Sequence, residues 1–147
     1  MKPKFLLAVF VFCTSVAFAQ TKTNWSPEQC LQMKNISAVV PSPDGSKVLY
    51  TVREAVMTAD RSEYVNQVWV CNADGSNHIQ LTKNDKNSSN PRWSPDGKWI
   101  TFTSSRDGKN NLYLMSTLGG EAEKITDVKS TVGNYGWNHD ASMIAFI

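Results

Sequence analysis

The side chains in this sequence that could do chemistry are His78 and His139, Cys30 and Cys71, and the aspartates Asp44, Asp96 and Asp140. None is spaced like a nucleophile with its base. A serine on a strand–turn–helix elbow needs G-x-S-x-G, which occurs nowhere in the chain. His78 lies in a polar loop before a strand and His139 in a turn, so both read as solvated turn histidines. A catalytic base needs an oriented nucleophile beside it, and no such residue can be named. Cys30 and Cys71 are 41 residues apart, with no C-x-x-C and no Cys/His cluster at metal-ligand spacing. An oxidising compartment would allow a disulfide between them, but nothing in the spacing requires one, and buried or unpaired thiols are the expectation. No catalytic residue, metal ligand, cofactor-binding residue or cofactor is therefore assigned.

The aspartates recur, and their recurrence explains them. Asp96 sits in Trp93-Ser94-Pro95-Asp96-Gly97-Lys98-Trp99-Ile100-Thr101-Phe102. An earlier copy runs Pro41-Ser42-Pro43-Asp44-Gly45-Ser46-Lys47-Val48-Leu49-Tyr50, and a degraded later one runs from Trp137 through His139, Asp140 and Ala141 to Phe146. Asp44 and Asp96 are 52 residues apart, and Asp96 and Asp140 are 44 apart. Val68-Trp69-Val70 and Leu112-Tyr113-Leu114 also step by 44, as do Leu81-Thr82 and Ile125-Thr126. A period of about 40–45 residues is the size of one four-stranded propeller blade. Tyr50 to Trp69 is 8 residues longer than Phe102 to Tyr113, so one insertion at Arg53–Asn66 accounts for the irregular first step.

Each repeated piece has a local role. In Ser-Pro-Asp-Gly, Pro fixes φ, Asp bonds its own backbone and Gly takes the positive φ that closes a hairpin. The runs Val48–Val52, Trp99–Thr103 and Met143–Ile147 are β-branched, aromatic or aliphatic without clean alternation, as in a sheet covered on both faces. Ser105-Arg106-Asp107-Gly108, Asn72-Ala73-Asp74-Gly75 and Ser116–Gly120 supply the remaining turns. The recurring Trp and Tyr positions read as core packing rather than as a ligand box. The insertion, with Arg53, Glu54, Asp60, Arg61, Glu63 and Tyr64, reads as a long solvated hairpin loop. A rim touching a substrate or another domain is the functional alternative.

The expected fold is all-β: about 2.4 four-stranded antiparallel blades of an incomplete β-propeller over residues 38–147. Blade 1 spans about 38–83, blade 2 about 90–127 and the start of blade 3 about 132–147. Residues 20–37 form a lead-in, in which Ser26-Pro27-Glu28-Gln29 predicts a capped helix of about two and a half turns. Residues 1–19 read as a cleavable signal peptide: Lys2 and Lys4, an apolar run Phe5–Phe12, and Ala17-Phe18-Ala19 before a cut ahead of Gln20. The apolar run is too short to span a bilayer, and Phe12 is too bulky for a lipoprotein cleavage site before Cys13. An exported protein, periplasmic or extracellular, with no stable membrane anchor is expected.

The net charge of +2 leaves with that segment: without Lys2 and Lys4 the chain has 13 basic and 13 acidic residues. Such a balance gives no reason to expect nucleic acid or an anionic membrane as partner.

The W-S-P-D-G-K-x-I-x-F repeat, with S-R-D-G, L-Y-L-M and a closing I-T, resembles the WD40-like blade of Tol-B-type propellers. The lead-in Trp25–Ser37 and the long charged insertion before Gln67-Val68-Trp69-Val70 resemble the propeller entry of exported prolyl oligopeptidase family serine peptidases, of the dipeptidyl aminopeptidase and acylaminoacyl-peptidase kind. The resemblance implies a C-terminal α/β-hydrolase domain, carrying a Ser, Asp and His triad, which the propeller caps so that only short peptides enter. No triad residue maps onto this chain, which ends mid-strand at Ile144-Ala145-Phe146-Ile147 and reads as a truncated product, inactive alone. The other class the repeat allows is a non-enzymatic periplasmic propeller that binds protein or envelope partners through rim loops. A sugar-active propeller would need carboxylate or histidine clusters that this sequence lacks. A propeller needs typically 4–8 blades to close, so an open stack would leave an apolar face and a strand edge exposed, and residues 20–147 alone are expected to self-associate.

Overall fold

The computed structural model describes residues 24–147; the expected signal peptide, residues 1–19, lies outside the described residues. One short helix, α1 (Pro27–Leu31), precedes ten strands. Strands β1 (Asn35–Pro41), β2 (Lys47–Thr58), β3 (Arg61–Asn72) and β4 (Ile79–Gln80) form one antiparallel sheet in sequential order. Strands β5 (Ser88–Trp93), β6 (Trp99–Ser104), β7 (Asn111–Ser116) and β8 (Glu123–Lys124) form a second of the same order. Strands β9 (Tyr135–Trp137) and β10 (Ile144–Phe146) pair as the opening hairpin of a third. The fold is therefore all-β, an open part of a propeller built from four-stranded meanders.

The core lies between the sheets. Leu49, Val68 and Val70 of the first sheet pack against Trp93, Ile100, Phe102, Tyr113 and Met115 of the second. Both faces of β6 are covered, since Thr101 and Thr103 are buried along with Ile100 and Phe102. That explains the missing alternation in its sequence. Two indoles tie neighbouring sheets together. Trp93 Nε1 donates to the Val40 carbonyl at 3.1 Å, and Trp137 Nε1 donates to Thr101 Oγ1 at 3.1 Å. Tyr135 adds a third link, its hydroxyl donating to the Asn90 carbonyl at 2.6 Å.

The closing Leu-Thr and Ile-Thr pairs act as clamps. Thr82 Oγ1 accepts from the Val68 N–H at 2.9 Å and donates to Gln67 Oε1 at 2.7 Å. Thr126 Oγ1 accepts from the Leu112 N–H at 2.9 Å and donates to Asn111 Oδ1 at 3.1 Å. Each buried hydroxyl thus continues a fourth strand that is only two residues long.

The structure differs from the sequence expectation in three places. The helix is five residues, not two and a half turns. Its capping box forms as expected, Ser26 and Gln29 bonding each other's backbone N–H, but Asn35 must already be extended to pair with Arg53. The insertion is an exposed hairpin, as expected, but it is strand and not loop. Residues 53–66 continue β2 and β3 as a ribbon, in register from Arg53↔Asn66 to Thr58↔Arg61, closed by the two-residue turn Ala59-Asp60. Finally, Trp99 stays 40% exposed at the turn end of β6, outside the core assigned to the recurring aromatics.

Replacing Thr82 or Thr126 with Val keeps the shape but orphans a buried backbone N–H, which costs about 1–3 kcal/mol. Urea midpoints should fall for Thr82→Val and Thr126→Val. The exposed Thr58→Val should stay within about 0.5 kcal/mol of the parent.

Candidate functional site

The aspartates found by sequence are turn carboxylates. Asp44 Oδ1 accepts from Ser42 Oγ at 2.6 Å and from the Ser46 N–H at 3.1 Å, while Ser42 Oγ accepts from the Lys47 N–H at 2.9 Å. Asp96 repeats the pattern with Ser94 Oγ at 2.6 Å, the Lys98 N–H at 3.2 Å and the Trp99 N–H on Ser94 Oγ at 2.9 Å. Gly45 and Gly97 close these turns at φ 71° and 70°. In the third copy Asn138 Oδ1 takes the place of the serine hydroxyl, accepting from the Met143 N–H at 2.9 Å. Ala141 there holds φ 61°, where a side chain is strained.

These bonds set the charge state. The Ser42 hydroxyl, then the backbone and hydroxyl of Ser46, hold the Asp44 carboxyl down at about 2, below its ordinary 3.8. Asp96 is lowered mainly by the Ser94 hydroxyl, and Asp74 and Asp140 by the serines two residues on. Carboxylates held ionised and occupied in this way do not act as general acids near neutral pH. A groove of about 280 Å³ runs between the first two turns, over Pro43, Lys47, Trp93 and Thr117. It is shaped by the turns and holds no reactive pair.

The histidines are separated on different sheets. His139 is exposed in the third turn. His78 is exposed but engaged: its Nδ1 lies 2.8 Å from the Tyr50 hydroxyl, and its ring meets Tyr50 edge-on. Tyr50 stacks on Trp69 as Phe102 stacks on Tyr113 one blade later. The Tyr50–His78 contact had no signal in the sequence, because the two residues lie 28 apart and His78 belongs to no repeat. The Tyr113 hydroxyl, by contrast, donates to Asp107 at 2.7 Å, and burial pushes it up to about 12. Cys30 is exposed and Cys71 half-buried, and both are free thiols. Among the described residues no group of three or more His, Cys, Asp or Glu is arranged to hold a metal ion.

The ribbon is the most distinctive surface. It is braced on both sides. On one side Arg61 binds Glu63 and the Asp85 carbonyl, the Asn66 N–H donates to Asn87 Oδ1 at 2.9 Å, and Gln67 Nε2 donates to the Asn84 carbonyl at 2.7 Å. On the other, Lys34 pairs with Glu54 at 2.7 Å, and Leu31 lines a small apolar cleft with Ala55, Met57 and Tyr64. Arg53 lies over the Tyr64 ring at 4.2 Å. The arrangement presents a braced arm at the surface.

Residues 15–147 match the TolB beta propeller domain. The chain belongs to that family. It is 35% identical over 104 residues to the uncharacterized peptidase YuxL of Bacillus subtilis, covering 70% of this propeller chain and 16% of that protein. It is 26% identical over 121 residues to dipeptidyl-peptidase 5 of Porphyromonas endodontalis, covering 82% of this chain and 17% of that one. The solved Pyrococcus horikoshii acylaminoacyl peptidase superposes with a TM-score of 0.62 at 23% identity, over 81% of this chain and 18% of that one, a likeness of fold. The propeller is thus related both to TolB and to peptidase propellers, and it spans less than a fifth of the length of these relatives.

Asp44 links the turn to acid stability. Its folded carboxyl titrates below its unfolded one, so its contribution is complete above the ordinary 3.8 and is lost as pH falls toward about 2. Asp44→Asn should therefore flatten the fall in urea midpoint between about pH 5 and about pH 2. Parallel slopes for parent and variant would contradict this.

Proposed function

We propose that this protein is the propeller region of an exported serine peptidase of the prolyl oligopeptidase type, in which the propeller caps and gates a catalytic α/β-hydrolase domain acting on short peptides. The observation that carries this reading is similarity across 70% and 82% of the chain to two proteins named as peptidases. The geometry is compatible with a cover. The sheets are locked face to face by Trp93 and Trp137, and the aspartates are spent on their own turns. On this reading the nucleophile, its base and the peptide-binding groups lie in the hydrolase domain. Export is supported by Lys2 and Lys4, the apolar run Phe5–Phe12 and Ala17-Phe18-Ala19. Among the described residues no helix is long and apolar enough to cross a membrane.

The match to the TolB beta propeller domain favours a second reading, a non-enzymatic propeller that binds protein or envelope partners. One experiment separates them. The native product of the reading frame carrying residues 24–147 is treated with a fluorophosphonate, whose phosphorus is attacked by an activated serine with loss of fluoride to leave a phosphonylated enzyme, and assayed on short peptide amides. The expected result is labelling at a serine outside residues 24–147, with loss of peptide hydrolysis. An unlabelled, inactive product would overturn the peptidase reading and leave the binding propeller.

A further inference from the structure

We propose that the free edge of β2, Glu54–Thr58, pairs antiparallel with the same edge of a second copy of this chain, about a two-fold axis at Val56. The proposal is independent of the peptidase reading. It begins from an unpaired edge. β1 covers β2 only as far as Asn35↔Arg53, whereas β2 and β3 run on together to Thr58↔Arg61. No backbone hydrogen bond reaches Glu54–Thr58 from outside the ribbon among the described residues. An edge strand of this kind is a template for another strand. Few devices against pairing are present: Glu54-Ala55-Val56-Met57-Thr58 holds no Pro, Gly or Lys, and its one charge, Glu54, is already paired with Lys34. The first strand of each full blade, by contrast, is broken by a bulge, at Ala38 (φ 49°) and at Asn90 (φ 53°).

The hairpin geometry fixes which groups are free. A two-residue turn makes Thr58 and Arg61 the last hydrogen-bonded pair, so Val56 and Glu54 also spend their backbone groups on β3. Ala55 and Met57 therefore aim N–H and C=O outward, in the same parity that lets Arg53 meet Asn35 and Thr51 meet Ser37. About an axis at Val56, Ala55 of each copy faces Met57 of the other, and both pairs exchange backbone hydrogen bonds. Glu54 then faces Thr58, so no like charges stand opposite. Shifting the register by one residue would mismatch both sets of outward groups.

The side chains favour the same occupant. Ala55 and Met57 share a ribbon face with Tyr64, and Leu31 closes the cleft against them. Met57 is 54% exposed, Leu31 45% and Tyr64 36%. Pairing the edges would join the two apolar faces into one. The braces from Arg61 to Asp85 and from Lys34 to Glu54 hold the ribbon ready, so little ordering would be needed on association. The result is an isologous, closed contact between two copies, which does not propagate.

Register-specific cross-linking tests this on the full chain, with Cys13→Ser, Cys30→Ser and Cys71→Ser as background. Val56→Cys places two thiols across the axis at a non-hydrogen-bonded pair, where Cα atoms sit about 4.5 Å apart, within disulfide reach. Mild oxidation should give a covalent dimer with Val56→Cys and none with Glu54→Cys or Thr58→Cys alone. Adding Met57→Lys should abolish the Val56→Cys dimer. Should Val56→Cys fail to fold, the double variant Ala55→Cys/Met57→Cys reads the same register, because position 55 of one copy then faces position 57 of the other. No cross-link in either cysteine variant, equal cross-linking at positions 54, 56 and 58, or a dimer that survives Met57→Lys would overturn the proposal.

Discussion

A propeller blade cannot bury its own two faces, and that constraint organises this molecule. Each sheet is a meander with apolar residues on both sides, so its stability is borrowed from the sheet before and the sheet after. Leu49, Val68 and Val70 are buried because Trp93, Ile100, Phe102, Tyr113 and Met115 of the next sheet lie on them. The indoles of Trp93 and Trp137 make the dependence directional, each reaching back to a carbonyl or hydroxyl of the preceding sheet. Contacts of this nearest-neighbour kind make stability a sum of blade terms and interface terms. In such a system the seam between sheets is as important as the sheets.

The polar residues of the repeat serve that architecture. Ser42 and Ser94 are buried hydroxyls that close their turns, and the aspartates complete the bonding. The third turn shows how far the pattern can drift while the geometry survives. Asn138 replaces the serine and Ala141 accepts a left-handed backbone, yet the N–H of Met143 still finds its acceptor. A family defined by such turns carries its specificity elsewhere, on loops and insertions that the repeat does not constrain. In this chain the feature of that type is the ribbon, braced by Arg61 on one side and Lys34 on the other.

Much of this was legible in the sequence because the turns and strands are local. Pro-Asp-Gly at 43–45 and 95–97 and the Thr82/Thr126 period needed no tertiary information to be seen, although the clamp role of those threonines became visible only with Gln67 and Asn111 beside them. The bulges at Ala38 and Asn90 sit 52 residues apart, the step between the first two turns, yet the two residues differ in type, so no motif announced them. The ribbon is hidden in the sequence for an opposite reason. Its charges at Arg53, Glu54, Arg61 and Glu63 read as a solvated loop, whereas Val56, Tyr64 and Val65 around a two-residue turn were enough to continue the strands. The sequence predicts a longer helix than forms because its start is encoded in Ser26 and Gln29, while its stop is imposed by the pairing of Asn35 with Arg53. Of the candidate site, the turn role of Asp44 and Asp96 was legible because it is local, whereas the Tyr50–His78 contact and the braces of the ribbon are long-range.

The dependence of one blade on the next is most directly tested by amide hydrogen exchange on the parent chain and on Trp93→Phe, which keeps a ring in the seam but cannot bond the Val40 carbonyl. Exchange reads local opening site by site. Protection should fall together at Val68 in the first sheet and at Leu112 in the second, whose amides are both capped by buried threonines. If Leu112 loses protection while Val68 keeps that of the parent, the sheets are self-sufficient and the seam is not what holds them.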